Sequence, residues 1–262
     1  MKTSLKITLI TLCTFGFYFI LDELYFKVLR KWFIELTNHF GLSHTITYLI
    51  SGIPIFLGTY LINRKTSIIE SLGLRGSFIK GLLFSFICTL PIFIGFSLVF
   101  EMNHELSMHT LLVTVVSAGL FEELYFRGFL FGQLFKYTRL GFIPSVFLGA
   151  LFFGLIHLYQ STDLTELILI FLITFLGGIL FAWAYAEWHF NIWIPVFLHL
   201  LMNFAWELFS VSDTAIGDKY SNIFRFISIG LIIALTILYK RSRGMTLAIS
   251  KKTLWIKPKA NN

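Results

Sequence analysis

The chain has 262 residues, of which 56% are hydrophobic, 31 are phenylalanine and only 13% are charged. Soluble domains carry roughly a quarter charged residues, so the composition excludes an ordinary water-soluble globular protein. The net charge of +7 does not indicate nucleic acid, because the basic residues form no stripe and concentrate in loops and in the C-terminal tail. The expected partner is the lipid bilayer.

Apolar runs of about twenty residues, long enough to cross a hydrocarbon core of about 30 Å, recur along the chain. They predict an all-α fold, a polytopic transmembrane bundle of about eight spans in an integral membrane protein. The predicted spans are 5–26, 43–63, 77–100, 107–135, 142–158, 164–186, 191–210 and 221–239. Pro91 and Pro195 fall inside spans and predict kinks. The first span lacks a small-residue cleavage site, which favours a retained helix over a signal peptide.

The distribution of Lys and Arg predicts the orientation of the bundle. With the N-terminus inside, sixteen of the 21 basic residues lie on the cytoplasmic side, as the positive-inside bias requires. The remaining five are Lys27, Arg30, Lys31, Lys219 and Arg225. An even number of spans then places both termini in the cytoplasm.

Three clusters of polar residues lie inside predicted spans, where ionisable groups are costly and mark functional sites. They are Glu122-Glu123-Leu124-Tyr125-Phe126-Arg127, Phe153-Gly154-Leu155-Ile156-His157 and His199-Leu200-Leu201-Met202-Asn203. At 1.5 Å per residue, Glu122 and His157 lie roughly 20 Å from the cytoplasmic ends of their helices, His199 roughly 12 Å and Asn203 roughly 18 Å. We therefore expect the three clusters to meet at a similar depth.

Spacing within the clusters suggests separate roles. Glu123 and Arg127 are four residues apart, so they share a helix face and can pair, whereas Glu122 points elsewhere. His199 and Asn203 have the same spacing. The pair Gly177-Gly178 predicts a close helix approach behind them.

The residue types favour hydrolysis. A buried carboxylate beside an imidazole can take a proton from water and pass it to a leaving amine, and a second histidine with an asparagine can stabilise an oxyanion. The same groups could instead bind a divalent metal such as zinc, whose water would be the nucleophile. The His-Glu-x-x-His helix of soluble zinc proteases is absent from the sequence.

The order Glu-Glu-x-x-x-Arg, Phe-x-x-x-His, His-x-x-x-Asn resembles the CPBP (Abi, or CAAX protease) intramembrane metalloproteases, which include type II CAAX prenyl endopeptidases. The resemblance covers about 107–206. It implies peptide-bond hydrolysis in a cavity open towards the cytoplasm, with a hydrophobic or lipidated peptide as substrate. Glu122 and His157 would activate the water, His199 and Asn203 would stabilise the oxyanion, and Glu123 and Arg127 would support the site. If a metal is bound, its ligands would come from Glu122, His157, His199 and Asn203.

The chain divides accordingly into N-terminal transmembrane helices (1–106), a catalytic core (107–210), and a last helix with a basic cytoplasmic tail (211–262). An alternative from another class is a catalytically silent membrane scaffold or a bacteriocin self-immunity protein that binds a partner. An ion-coupled transporter that uses buried Glu and His as a relay is less favoured, since no paired half-repeats are evident.

Overall fold

The computed structural model describes residues 2–258, and Lys259 of the predicted basic tail lies outside the described residues. The fold is all-α, as predicted, and an isolated bridge joins Leu140 to Ile256. The helices are α1 (Lys2–Thr37), α2 (Phe40–Ser51), α3 (Ile53–Ile62), α4 (Ile68–Ser71), α5 (Phe78–Val99), α6 (Met108–Thr110), a π-helix (Leu111–Phe131), α7 (Gly132–Tyr137), α8 (Phe142–Ile156), a 3₁₀ turn (Leu158–Gln160), α9 (Leu164–Glu187), α10 (Trp193–Leu208) and α11 (Lys219–Ser242).

Six helical stretches of the described chain are long and apolar enough to cross a membrane: Thr3–Thr37, Phe40–Ile62, Phe78–Val99, Phe142–Gln160, Leu164–Glu187 and Lys219–Ser242. The π-helix and the shorter apolar α10 add two further passes. The chain is therefore a multi-pass integral membrane protein, and the predicted bundle of about eight helices agrees with the structure.

Two local features differ from the sequence-based expectations. Helix α1 continues to Thr37 instead of ending near residue 26, because Lys, Arg, Glu and Leu are good helix formers even where the chain is no longer apolar. At about 1.5 Å per residue its 36 residues exceed a bilayer core of about 30 Å. Pro195 lies in the first turn of α10, where a missing N–H breaks no helical hydrogen bond, while Pro91 lies inside α5 as expected.

The π-helix is the central element of the bundle and carries the first polar cluster. Its i to i+5 bonding is seen where the Gly132 amide donates to the Arg127 carbonyl, and π-helical turns occur often at functional sites. The largest core cluster is built around its residues Tyr125, Phe126 and Phe129. The Tyr125 hydroxyl donates to the Tyr48 carbonyl at 2.7 Å and so ties the π-helix to α2.

The passes alternate in direction, so the connecting segments lie on two faces. We call the face with segments 63–77, 138–141, 188–192 and 243–258 the tail face. The opposite face, with segments 100–107, 157–163 and 209–218, is called the cavity face.

The described part of the predicted basic tail is packed against the tail face. The buried carboxylate of Glu187 accepts the Lys240 ammonium at 2.5 Å and the amides of Ala248 and Ile249 at 2.9 Å each. Further along, the Gly141 amide donates to the Trp255 carbonyl at 2.7 Å. The buried ion pair of Glu187 and Lys240, which was not predicted from the sequence, anchors the tail between the ends of α9 and α11.

Candidate active site

The centre of the site is a buried chain of three side chains from two helices. Oε1 of Glu123 accepts Nη1 of Arg127 at 2.9 Å and Nδ1 of His199 at 2.8 Å. Glu123 is fully buried and Arg127 is 2% exposed. The predicted Glu123–Arg127 pair is therefore present, and it extends to His199 on α10.

The guanidinium of Arg127 is surrounded by aromatic rings and a close helix approach. Its Cζ lies 4.2 Å from the Phe153 ring centroid and 5.7 Å from that of Phe181, at distances typical of cation–π contacts. A Cβ on Gly178 would come within 3.4 Å of Arg127 Nη2 and 3.3 Å of Ala150. Gly178 thus permits the close approach predicted for the glycine pair, whereas Gly177 faces open space.

His157 lies at the C-cap of α8, at the cavity face. Its Nδ1 lies 2.6 Å from the Phe153 carbonyl oxygen. A carbonyl oxygen can only accept, so Nδ1 carries the proton, and Nε2 of the neutral ring is left as an acceptor. The ring centroids of His157 and Phe153 are 4.5 Å apart. The His157 ring therefore packs against the same Phe153 ring that contacts Arg127.

Asn203 is oriented by the first turn of the π-helix. Its Nδ2 donates to the Thr114 carbonyl oxygen at 2.8 Å. An amide nitrogen carries two hydrogens, so one N–H remains for another acceptor. Thr114 takes part through its backbone carbonyl, which explains why no feature of the sequence pointed to it.

A cavity of about 1100 Å³ brings together the four residues predicted to be catalytic. Glu122, His157, His199 and Asn203 all line it. Glu123 and Arg127, predicted to be supporting residues, are buried behind His199. Three distant segments of the chain therefore meet, as their predicted depths implied.

Glu122 differs from its neighbour Glu123 in its surroundings. Its side chain is half-buried, and Oε2 has no hydrogen-bond partner among residues 2–258. A buried carboxylate oxygen without a protein partner is costly, so this oxygen is available to a water molecule or a substrate.

The walls of the cavity include elements outside the three motifs. His44 and Tyr48 of α2 and Arg225 of α11 line it, together with the segment 212–216 of the cavity face. None of these residues belongs to the three motifs identified in the sequence. Their position follows from long-range packing, which has no local pattern in the sequence.

A metal centre was one expectation for the same four residues. Across residues 2–258, no group of three or more His, Cys, Asp and Glu side chains is close enough to hold a metal ion. The Nδ1 atoms of His157 and His199 are hydrogen-bonded to Phe153 and Glu123, which leaves only the Nε2 atoms of the two rings as possible ligands. The side chains predicted as ligands therefore do not form a metal site in this arrangement of residues 2–258.

Comparison with known proteins agrees with the class of protein that the motifs and the fold indicate. A family model described as "Type II CAAX prenyl endopeptidase Rce1-like" matches residues 104–205, which contain all six site residues. A curated relative of Bacillus subtilis (strain 168), named "Putative membrane peptidase YdiL", is 32% identical over 93 residues, covering 36% of this chain and 34% of the relative. The chain thus spans about a third of the length of this relative. No solved structure matches the chain. Residues 104–205 are therefore similar to the family that the three motifs resemble.

Proposed function

We propose that the chain is an intramembrane endopeptidase that hydrolyses a peptide bond in a membrane-associated, hydrophobic or lipidated substrate. The observation that carries the proposal is the shared cavity of Glu122, His157, His199 and Asn203, in which one carboxylate oxygen of Glu122 lacks a protein partner. The family match of residues 104–205 supports the same chemistry.

Glu122 and His157 activate the water in this mechanism. The Glu122 carboxylate takes a proton from water while the unprotonated Nε2 of His157 orients the same molecule through a hydrogen bond. The water oxygen attacks the carbonyl carbon of the substrate and converts its oxygen to an oxyanion. The proton held by Glu122 then passes to the leaving nitrogen as the C–N bond breaks.

His199 and Asn203 stabilise the oxyanion. Asn203 offers the N–H that Thr114 does not use. Since Nδ1 of His199 already donates to Glu123, the second donor of this ring is Nε2, which carries a hydrogen in the doubly protonated imidazole. Such prepositioned donors are among the largest contributions to hydrolytic catalysis.

The test compares peptide termini in membranes of cells that express the wild-type chain, Glu122→Gln, His157→Ala or Glu105→Gln. Glu105 is an exposed glutamate of segment 100–107 and serves as the matched control. We expect peptide termini that result from cleavage in cells with the wild type and with Glu105→Gln. These termini should be lost with Glu122→Gln and His157→Ala when equal amounts of the variant proteins are present in the membrane.

Retained cleavage by Glu122→Gln would contradict the mechanism. A catalytically silent scaffold predicts that all four chains give the same termini, so the comparison also separates the two classes of function. The purified proteins should show the same order of activity towards any substrate that the comparison identifies.

A further inference from the structure

The cavity extends from the buried site towards one face of the bundle. His157 caps α8 at the cavity face, and Gln160 and segment 212–216 of that face line the cavity. Within the described residues, no lining residue comes from the tail-face segments 63–77, 138–141, 188–192 or 243–258. A polypeptide outside the membrane would therefore reach Glu122 from the cavity face.

The two faces differ strongly in basic residues. Among residues with described side chains, those at the tail face are Lys6, Arg64, Lys65, Arg75, Lys80, Lys136, Arg139, Lys240, Arg241, Arg243, Lys251, Lys252 and Lys257. Those at the cavity-face ends of the helices are Lys27, Arg30, Lys31, Lys219 and Arg225. Because Lys and Arg near membrane spans are retained on the cytoplasmic side, this distribution places the tail face in the cytoplasm.

Taken together, cavity direction and charge distribution oppose the cytoplasmic opening that the family resemblance implies. We propose that the cavity opens on the non-cytoplasmic side, and that the substrate is a membrane-anchored protein cleaved in its non-cytoplasmic segment next to the membrane. This inference rests on the proposed endopeptidase function and names the substrate class of the same site.

The wall between α9 and α11 explains why the substrate would be membrane-anchored. At the tail face the two helices are held together by the stacked rings of Trp188 and Tyr239, with centroids 4.7 Å apart. Towards the cavity face, Leu176 and Phe226 line the cavity although they are 58% and 68% exposed. Apolar side chains that are exposed at a membrane-spanning level face lipid, so an apolar anchor can lie beside this wall while its adjoining segment enters the cavity.

The side of opening is tested by cysteine labelling of the full-length chain in intact spheroplasts. Ser212 and Ser250 are exposed serines at the cavity face and the tail face, respectively. With a membrane-impermeant maleimide, Ser212→Cys should be labelled before permeabilisation and Ser250→Cys only afterwards, with wild type as the background for Cys13 and Cys88. Labelling in the reverse order would overturn the inference.

The substrate class is tested by locating the Glu122-dependent cleavage sites relative to the spanning helix of each substrate. Sites in non-cytoplasmic segments next to that helix are the expected result. Sites in cytoplasmic segments would overturn this inference and leave the proposed function intact. Cleavage that does not depend on Glu122 would instead contradict the proposed function, while the labelling result still decides which face is cytoplasmic.

Discussion

Nδ1 of His199 lies 2.8 Å from Oε1 of Glu123, the same oxygen that accepts Arg127. One buried carboxylate therefore orients an imidazole at the cavity and compensates a guanidinium behind it. The arrangement divides the adjacent glutamates into two roles, because Glu122 faces the cavity and Glu123 faces the protein interior.

This division predicts different consequences for Glu123→Gln and Glu122→Gln. Loss of the Glu123 charge leaves Arg127 as an uncompensated buried cation, and breaking such a pair costs about 3–5 kcal/mol. Glu122 makes no salt bridge within the described chain, so its replacement by glutamine should destabilise the protein much less. Thermal unfolding in detergent and the rate of proteolysis measure the two effects. We expect both variants to be inactive and Glu123→Gln alone to be destabilised; equal stability would contradict the proposed role of Glu123.

Asn203→Asp tests the proposal that the second N–H of the Asn203 amide stabilises the oxyanion. Aspartate lacks a donor, and removing one oxyanion donor typically lowers kcat by about 10²–10³-fold. Asn103→Asp is a matched control, because Asn103 Nδ2 also donates to a backbone carbonyl, that of Glu207, at 3.0 Å. Steady-state kinetics should show the fall in kcat for Asn203→Asp and near wild-type values for Asn103→Asp. A similar loss in both would indicate a structural role for Asn203.

Local spacing and span depth predicted much of the site from the sequence. The i, i+4 relation of Glu123 and Arg127 is visible in the sequence because both lie on one helix, and residue counting placed the three clusters at a common depth. The hydrogen bond from His199 to Glu123 joins residues 76 positions apart, and the bond from Asn203 ends on a backbone carbonyl. Neither has a local pattern that a single sequence can reveal.

The fold, like the site, could be predicted from the sequence only in part. Hydrophobic runs located the passes, because length and composition decide whether a helix can cross a bilayer. The predicted end of α1 was wrong because the residues after position 26, among them Lys27 and Arg30, favour a helix although they are no longer apolar. The docking of the tail was missed because it depends on Glu187 and Lys240, two charged residues that are buried against each other at the ends of different helices.

Gly119→Ala tests the close approach that brings His199 to Glu123. A Cβ at Gly119 would lie 3.1 Å from the Cα, Cβ and N of Leu200, the residue after His199. Helix α10 would have to move away, and overpacking of this kind costs about 1–3 kcal/mol. Gly230→Ala in α11 is the control, since its Cβ would meet nothing within 4 Å. We expect lower melting temperature and activity for Gly119→Ala and unchanged or higher stability for Gly230→Ala. A Gly119→Ala protein as stable and active as the control would show that the contact is not required.

Docking of the tail should depend on pH through Lys257. Its ammonium donates to the Phe135 carbonyl, and burial lowers the pKa of Lys257 to about 8. A free lysine has a pKa of about 10.4, so the docked tail binds fewer protons than the released tail between these values. The contribution of Lys257 to docking should therefore be constant below about pH 8 and increase as the pH rises from about 8 to about 10.4.

The mobility of a spin label at Ser250→Cys, in a Cys13→Ser background, measures this docking. We expect the label to become less mobile across that pH range in the wild-type tail. Burial also lowers the pKa of Lys136 to about 8, and its ammonium donates to Ser71 and not to the tail. Lys257→Met therefore serves as the control that separates the two lysines, and it should remove the pH dependence. If the dependence survives Lys257→Met, Lys257 does not control docking.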